Sequence, residues 1–149
     1  MNNMKKIIAS LALCLMGIGL FAQTSLKEAV APGNKVYVEI VNDAEHPMPD
    51  KEIGDLIRES AAAGQWEAVS DKQDASFVLS IVTKKKMVFN SPRTWLTPSV
   101  LDLDGNVLWK GDTYKADATM FNGYRATNAA IAAMIKKGFV GNLFKKAER

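Results

Sequence analysis

The sequence predicts an α+β fold: a two-layer sandwich with two helices packed on one face of a four- to five-stranded, mostly antiparallel sheet. Three observations support this prediction. Apolar and polar residues alternate through the middle of the chain, which is typical of strands. Apolar residues recur every three or four positions both before and after that region, which is typical of amphipathic helices. The predicted order is strand, helix, short strand, three strands and helix.

The first strand and the first helix occupy the N-terminal half of the predicted domain. Residues 35–41, KVYVEIV, are rich in β-branched side chains that alternate between two faces, as in a strand. The apolar spacing turns helical after Asp50, a residue that favours the N-cap position. Gly64 is expected to end this helix in the left-handed conformation that glycine adopts readily. The helix allows the first strand to pair in parallel with a later one.

The middle and the end of the chain predict a long strand, a strand with a proline and a closing helix. Residues 75–89 have the strongest strand pattern. Pro98 indicates that the following strand lies at an edge or is bulged there, because proline cannot donate a hydrogen bond to a neighbour. The alanine-rich tail predicts a helix from about residue 122 to residue 146. Within it, Gly138 and Gly141 either bend the helix or let it pack close to the sheet.

The segment LDLDGNVLWKG contains a pattern that resembles a calcium-binding loop. Asp102, Asp104 and Asn106 alternate as the first three ligands of such a loop would. The glycine and the bidentate glutamate that complete a calcium loop are missing, because Val107 and Thr113 stand at those positions. An Asp-Gly pair between alternating apolar runs is instead a strong hairpin signal. We therefore expect a turn here and no metal.

The N-terminal residues are typical of a secretory signal. Lys5 and Lys6 precede an uncharged apolar run that is shorter than the roughly 20 residues of a membrane span. The expected cleavage site follows Ala22, and retention of the segment as an anchor is the alternative. The predicted organisation is a signal peptide at residues 1–22, a leader at 23–34 and a single α+β domain at 35–149. The predicted location is periplasmic or secreted.

Composition narrows the kinds of chemistry available to the exported chain. The only cysteine, Cys14, lies in the apolar run after Leu13, whereas a lipoprotein signal places a small residue before its cysteine. The mature chain would therefore have no disulfide and no thiol nucleophile. Loss of Lys5 and Lys6 lowers the net charge from +3 to +1, so the basic pI carries little information about partners. Export makes nucleic acid an improbable partner.

The usual catalytic motifs are missing from the sequence. His46 is the only histidine, and no other histidine or cysteine is available to complete a zinc site with it. Neither a phosphate-binding glycine-rich loop nor a G-x-S-x-G nucleophile motif is present. We expect a protein that is not an enzyme and that uses no cofactor. A hydrolase that uses His46, or paired acids such as Asp102 and Asp104, is the alternative.

Two segments provide candidate binding residues. The first is a basic run with a nearby arginine, close to Phe89 and Trp95, which suits anionic lipid headgroups or acidic envelope polymers. Its simpler interpretation is a charged strand end that prevents edge-to-edge pairing. The second is an apolar cluster before the closing helix, which either closes one end of the core or forms a lip for a partner or a lipid chain. The candidates are Lys84, Lys85, Lys86 and Arg93 in the first segment, and Met120, Phe121 and Tyr124 in the second.

Several motifs together resemble small α+β domains of Gram-negative envelope proteins, such as the TolB N-terminal domain and related assembly lipoproteins. They are Gly64 with Trp66, the stretch DASFVL at 74–79, and DGNVLW at 104–109. The resemblance covers roughly residues 35–147 and implies the same fold. It departs from those families in having no lipidation motif and no attached propeller or pore segment.

The function predicted from these observations is that of an exported, non-enzymatic envelope protein. It would bind a protein partner or an anionic envelope component, with peripheral membrane contact at most. The alternative is a carrier of a small ligand or lipid, with a pocket between the sheet and the helices near Met120, Phe121 and Tyr124.

Overall fold

The computed structural model describes residues 24–149, so the predicted signal peptide lies outside the described residues. Two short 3₁₀ turns, Lys72–Asp74 and Met120–Asn122, lie between the main elements. A π-helical stretch, Met134–Leu143, joins the last two α-helices into one rod. In chain order the elements are α1 (Leu26–Ala29), β1 (Lys35–Asn42), α2 (Asp50–Gly64), β2 (Glu67–Ala68), β3 (Phe77–Val88), β4 (Ser91–Leu101), β5 (Val107–Lys110), β6 (Tyr114–Asp117), α3 (Ala126–Ala133) and α4 (Phe144–Ala147).

The sheet is mixed and has six strands. Its order is β2-β1-β3-β4-β5, and β6 also pairs with β4. Strand β1 runs parallel to β2 and β3, whereas β4 runs antiparallel to β3, β5 and β6. The α+β class is confirmed, but the prediction of four or five mostly antiparallel strands is wrong. The crossover through α2 brings β3 back in the direction of β1, and the short strand β6 has too few residues for a clear periodic pattern.

One face of the sheet is buried and the other is not. Alternate residues of β1, β3 and β4 point toward the helices and are buried, as the register of these three strands requires. The rod formed by α3 and α4, together with α2, supplies the opposing apolar side chains. The largest fully buried residues include Val36, Leu56, Phe77, Leu79, Ile81, Leu96, Val100, Met134, Phe139 and Leu143.

Residues before β1, expected as a leader, also contribute to the core. Ala29 at the end of α1 and the following Val30 are buried. The indole Nε1 of Trp66 donates a hydrogen bond of 2.9 Å to the carbonyl oxygen of Val30. This bond joins the N-terminal helix to the segment after α2.

The end of α2 depends on the Trp66 ring. Gly64 is the last residue of α2, but the left-handed residue that follows is Gln65, with φ 57°. A Cβ atom added to Gly64 would lie 2.2 Å from two atoms of the Trp66 ring. The predicted end of the helix at Gly64 is confirmed, but the left-handed conformation belongs to Gln65. Glycine is needed here because the ring packs directly over its Cα.

Pro98 lies in a central strand and not at an edge. Its partner on β3 is Ile81, and on the other side its carbonyl oxygen accepts a hydrogen bond of 2.9 Å from the Gly111 amide. The nitrogen and the carbonyl of one residue in a strand point to the same side. The proline nitrogen therefore faces the gap between β6 and β5, where no donor is required. Pro98 marks the place where β4 changes partner.

The turn between β4 and β5 is organised by Asp102, and the predicted hairpin is confirmed. The Asp102 carboxylate is only 6% exposed and accepts hydrogen bonds from the backbone amides of Asp104 (2.9 Å) and Asn106 (2.8 Å). It also accepts a bond of 2.8 Å from the Asn106 side-chain amide. Gly105 has φ +88°, as a turn of this kind requires. These hydrogen bonds, led by that from the Asn106 side chain, lower the pKa of Asp102.

The closing helix packs against the sheet at Gly138 and through its π-helical stretch. A Cβ atom on Gly138 would lie 3.0 Å from the Tyr114 ring, so the expectation of close packing to the sheet is confirmed. The indole Nε1 of Trp109 on β5 donates to Asn142 Oδ1 at 2.9 Å. Within residues 24–149, no helix is both long enough and apolar enough to cross a membrane.

We predict that Gly64→Ala destabilises the fold, because the new methyl group would displace the buried Trp66 ring. The expected loss is about 3 kcal/mol of unfolding free energy, at the upper end of ordinary overpacking effects. Urea unfolding followed by tryptophan fluorescence measures it. As a matched control, Gln65→Gly should leave stability unchanged or raise it, since Gln65 already has a positive φ. Equal midpoints for Gly64→Ala and wild type would contradict the proposed packing constraint.

We also predict that Asp102→Asn lowers stability at neutral pH, since it removes the charge and the acceptor for the Asn106 side chain. The pKa of Asp102 is lowered in the folded state, so its contribution is present above the unfolded value of about 4 and is lost as pH falls through the folded value. The difference between wild type and Asp102→Asn should therefore narrow on acidification below about pH 4. Urea midpoints across this range test the effect, with the exposed Asp104→Asn as control. A pH-independent difference would show that the carboxylate charge has no role.

Candidate functional site: the hairpin end of the open sheet face

The basic run in β3 does not form one patch, because successive side chains point to opposite faces of the sheet. Lys85 points toward the helices, and its Nζ lies 2.6 Å from Glu52 Oε1 in the first turn of α2. Lys84 and Lys86 point to the opposite face, which the helices leave open. Lys85 is therefore part of the framework, whereas the two flanking lysines belong to the candidate surface.

The open face carries a tryptophan surrounded by basic side chains. Trp95 on β4 is the partner of Lys84 on β3 and of Lys115 on β6. The Lys84 ammonium lies 5.5 Å from the centroid of the Trp95 ring, and the Arg93 guanidinium carbon lies 5.8 Å from it. Both distances fit cation–π contacts. We call this group, Lys84, Lys86, Arg93, Trp95 and Lys115, the basic–aromatic surface.

Arg93 is held in place by a two-pronged contact with Asp117 on β6. Its Nε donates to Oδ1 and its Nη2 donates to Oδ2, the latter at 3.0 Å. The hydrogen bond from Arg93 lowers the pKa of Asp117, and the same contact raises the pKa of Arg93. The positive charge of Lys115 also helps to lower the pKa of Asp117. Backbone hydrogen bonds and, to a smaller extent, the positive charge of Lys84 lower the pKa of Asp43. Four basic side chains thus face two carboxylates, so the surface stays basic.

The β3–β4 hairpin ends in an unusual turn. Val88 pairs with Ser91, so the turn consists of Phe89 and Asn90 alone. Both have positive φ, 49° and 65°, which is the conformation of a tight two-residue hairpin turn. Asparagine and glycine adopt it readily, but a bulky side chain at the first position is strained. The Phe89 side chain is also 99% exposed and so contributes no packing to offset that strain.

A second exposed apolar loop lies beside this turn. Ser91 Oγ donates to the Ala118 carbonyl oxygen at 3.0 Å, and the Ala118 amide donates to the Pro92 carbonyl at 2.9 Å. The loop that follows carries large apolar side chains that do not close the core, because they point into solvent. Met120 is 74% exposed, Phe121 100% and Tyr124 70%. We call these three residues and Phe89 the apolar tips.

Asn122 holds the second loop together. Its Oδ1 accepts hydrogen bonds from the backbone amides of Thr119 (2.9 Å) and Arg125 (3.1 Å), and its Nδ2 donates to the Asp117 carbonyl oxygen at 2.7 Å. The Tyr124 amide donates to the Thr119 carbonyl at 2.8 Å, and Tyr124 itself has φ 61°. The loop is therefore a fixed turn that presents its apolar side chains outward.

The two options of the hydrolase hypothesis, His46 and the paired acids Asp102 and Asp104, lie at different ends of the sheet. His46 is in the loop after β1, and its carbonyl oxygen accepts a hydrogen bond from the Lys85 amide. Asp102 follows Leu101, which pairs with Val78 at the other end of β3. Val78 and Lys85 are seven positions apart along β3, a distance of about 23 Å. The structure does not bring His46 and Asp102 together.

The described part of the chain contains no group of three or more His, Cys, Asp or Glu side chains arranged to hold a metal ion. In the turn that resembles a calcium loop, the Asp102 carboxylate is instead occupied by the backbone and side chain of its own turn.

Two grooves lie on the outer side of the helical layer. One, of about 600 Å³, runs between α2 and α3 and is lined by charged and apolar side chains such as Arg58 and Ile135. Another, of about 440 Å³, lies beside α1 and α4.

The interior between sheet and helices is filled by side chains such as Phe77, Met134 and Phe139. Near Tyr124, where the carrier hypothesis places its pocket, a groove of about 370 Å³ is lined mainly by charged and polar residues such as Glu52 and Lys85.

Sequence reasoning identified part of this site. Of the predicted candidates, Lys84, Lys86 and Arg93 share one face, and Met120, Phe121 and Tyr124 lie at the same end of the sheet. Phe89 and Trp95 were noted only as neighbours of the basic run and not as candidates, and Lys115 was missed. A strand register would have placed Trp95 between the lysines, and an aromatic residue directly before the Asn of a two-residue turn was a usable signal for Phe89.

Comparison with solved structures finds chains that resemble this one at the level of fold, among them two lipoproteins. A single-substitution form of the PelC dodecamer from Paraburkholderia phytofirmans is 19% identical, with a TM-score of 0.50, covering 70% of this chain and 85% of that chain. An uncharacterized lipoprotein B from Nitrosomonas europaea is 13% identical (TM-score 0.43; 85% and 83% covered). A minor lipoprotein from Acinetobacter baumannii is 16% identical (TM-score 0.45; 72% and 91% covered).

These similarities concern the fold alone. No protein-family model matches the chain, and no curated protein matches it by sequence.

We predict that Phe89→Asn raises the unfolding free energy by up to about 1 kcal/mol, because asparagine tolerates the left-handed conformation that strains phenylalanine. Thermal or urea unfolding measures the change. In the matched control, Asn90→Ala should lower stability by about 1 kcal/mol, since alanine at φ 65° is strained in the same way. Clear destabilisation by Phe89→Asn would contradict this prediction, because it would show that the exposed ring stabilises the fold.

Proposed function

We propose that this protein is an exported, non-enzymatic envelope protein that binds an anionic envelope component through the basic–aromatic surface. The observation that carries the proposal is the arrangement of Lys84, Lys86, Arg93 and Lys115 around Trp95 on the sheet face that the helices leave open. The signal-like N-terminus predicted from the sequence supports export.

The chemistry of this surface suits an anionic ligand with phosphate or carboxylate groups. Lysine ammonium groups attract such groups as point charges, and a partly exposed indole adds a flat apolar contact area. The Asp117 carboxylate engages Arg93 and fixes its position. A ligand that approaches this face therefore encounters positive charges on three adjacent strands.

The surface is also independent of the folding core. Its side chains extend from the outer face of β3, β4 and β6, whereas the core residues of the same strands point to the helices. Substitutions on the outer face should therefore change binding with little effect on folding, which makes the proposal testable.

We predict that Lys84→Glu together with Lys86→Glu weakens binding to anionic ligands at least about tenfold, because each lysine near an anionic surface contributes on the order of 1 kcal/mol. Two probes are used: vesicles of phosphatidylglycerol and phosphatidylcholine in equal parts, and soluble polygalacturonate. The polypeptide of residues 23–149 is suitable, since it contains every described helix and strand. Wild-type binding should also weaken as salt is added, as expected for charge-driven association.

The matched control is Lys136→Glu with Lys137→Glu, which changes the net charge equally on the exposed side of the closing helix. This variant should bind as the wild type does. Equal weakening by both double variants would indicate a net-charge effect and reject the proposed surface. If the wild type binds neither of the two anionic probes, the proposed function is rejected.

A further inference from the structure

The apolar tips project from the same end of the sheet as the basic–aromatic surface. Phe89 lies at the end of the β3–β4 hairpin, and the loop carrying Met120 and Phe121 is joined to the start of β4 through Ala118. Phe89 and Phe121 are 99% and 100% exposed, so their rings contact almost nothing in this chain. Two such rings on neighbouring turns are costly to leave in water.

The backbone conformation at two of these residues also destabilises the fold. Phe89 and Tyr124 both have positive φ, at 49° and 61°, in positions where asparagine or glycine would be unstrained. Strained residues that contribute no packing tend to occur where the side chain itself is used. Both strained residues here are exposed aromatics at one end of one molecule.

The backbone polar groups of both tips are largely satisfied within the tips. The two-residue hairpin closes on the Val88–Ser91 pair. In the second loop, the amides of Asn122, Gly123 and Tyr124 all donate to carbonyl oxygens of the same loop. Asn122 satisfies further groups through its side chain. Internal hydrogen bonding of this kind is what a backbone needs before it can leave water for hydrocarbon, where unpaired groups are heavily penalised.

The positive charges lie behind the apolar tips at a distance that matches the depth of lipid headgroups. Lys86 is three residues from Phe89 along β3 and Lys84 is five, which corresponds to about 10 Å and 17 Å. A surface-bound segment buries its apolar residues roughly 5–10 Å deep, at the boundary of headgroups and acyl chains. With Phe89 at that depth, Lys86 would lie among the headgroups and Lys84 at their outer limit. This order of apolar tip and basic collar matches an anionic bilayer in both charge and depth.

We infer that the apolar tips insert into the surface of an anionic lipid bilayer, with Phe89 and Phe121 as the principal anchors and Lys84, Lys86, Arg93 and Lys115 at the headgroups. This inference rests on the proposed function and specifies its ligand. The bilayer accepts convex aromatic tips without a shaped pocket, which distinguishes it from a soluble acidic polymer that would contact the charges alone. The membrane contact is peripheral.

The test combines Phe89→Asn with Phe121→Ser in the polypeptide of residues 23–149. Moving one phenylalanine ring into an apolar environment is worth about tenfold in partitioning, so the double variant should bind phosphatidylglycerol vesicles about a hundredfold more weakly than wild type. Its binding to soluble polygalacturonate should be unchanged. Because Phe89→Asn fits its turn and Phe121 is fully exposed, folding should be retained, and urea unfolding checks this. The matched control is Leu103→Ser with Val107→Ser, exposed apolar residues at the opposite end of β4.

A second measurement reports insertion directly. The 23–149 polypeptide has no cysteine, so Phe89→Cys carries an environment-sensitive fluorophore at the tip alone, and Val107→Cys carries it at the other end. On vesicles, the label at position 89 should shift to the blue and be quenched by brominated acyl chains, and the label at position 107 should not.

The outcomes distinguish failure of insertion from failure of the proposed function. Unchanged vesicle binding by the Phe89→Asn, Phe121→Ser variant, or an unshifted label at position 89, overturns insertion and leaves the anionic-binding proposal intact. Equal weakening on vesicles and on polygalacturonate also overturns insertion, because the rings would then contact the ligand without entering lipid. Insertion is also overturned if the wild type binds polygalacturonate but not the vesicles. Absence of binding to both probes overturns insertion and the proposed function together.

Discussion

The register of the β3–β4 hairpin determines which residues of these two strands belong to the candidate surface. Eleven residue pairs, from Val78–Leu101 to Val88–Ser91, follow one another without a slip. A slip of one residue would exchange the two faces, placing Lys84 and Lys86 against the helices. The two-residue turn prevents this, because it permits one pairing only. The strained turn therefore both fixes the register and projects the Phe89 ring.

The two faces of the sheet carry different kinds of side chain. The inner face builds the core around an aromatic cluster, in which Trp66 lies 5.0 Å from Phe77 and 6.0 Å from Phe139, measured between ring centroids. Such contacts are worth about 0.5–1.5 kcal/mol each beyond the apolar area that they bury. The outer face at the hairpin end holds charged and aromatic side chains that do not enter this cluster. Side chains on the outer face can therefore differ between proteins while the core that stabilises the fold is kept. This is why a shared fold does not imply a shared function.

The sequence could predict the composition of the site but not its arrangement. The alternating pattern of residues 75–89 already implies that Lys85 points away from Lys84 and Lys86. It does not reveal that Lys85 is held by Glu52, because that contact joins segments 33 residues apart. Trp95 and Lys115 become neighbours of Lys84 only through cross-strand pairing, which a single sequence does not specify. The exposed state of Phe121 was likewise open, since an apolar residue near a helix can face either the core or the solvent.

The chain alone determined the elements whose signal is local: the long strand, the Asp-Gly hairpin, the amphipathic helix after Asp50 and the α+β class. Each depends on periodicity or turn chemistry within about fifteen residues. Tertiary structure decided which strands pair in parallel, why Gly64 must lack a side chain, how Pro98 fits inside a sheet, and which charges share a face. These features depend on contacts between distant segments, and their energies come from packing and pairing that no local pattern encodes.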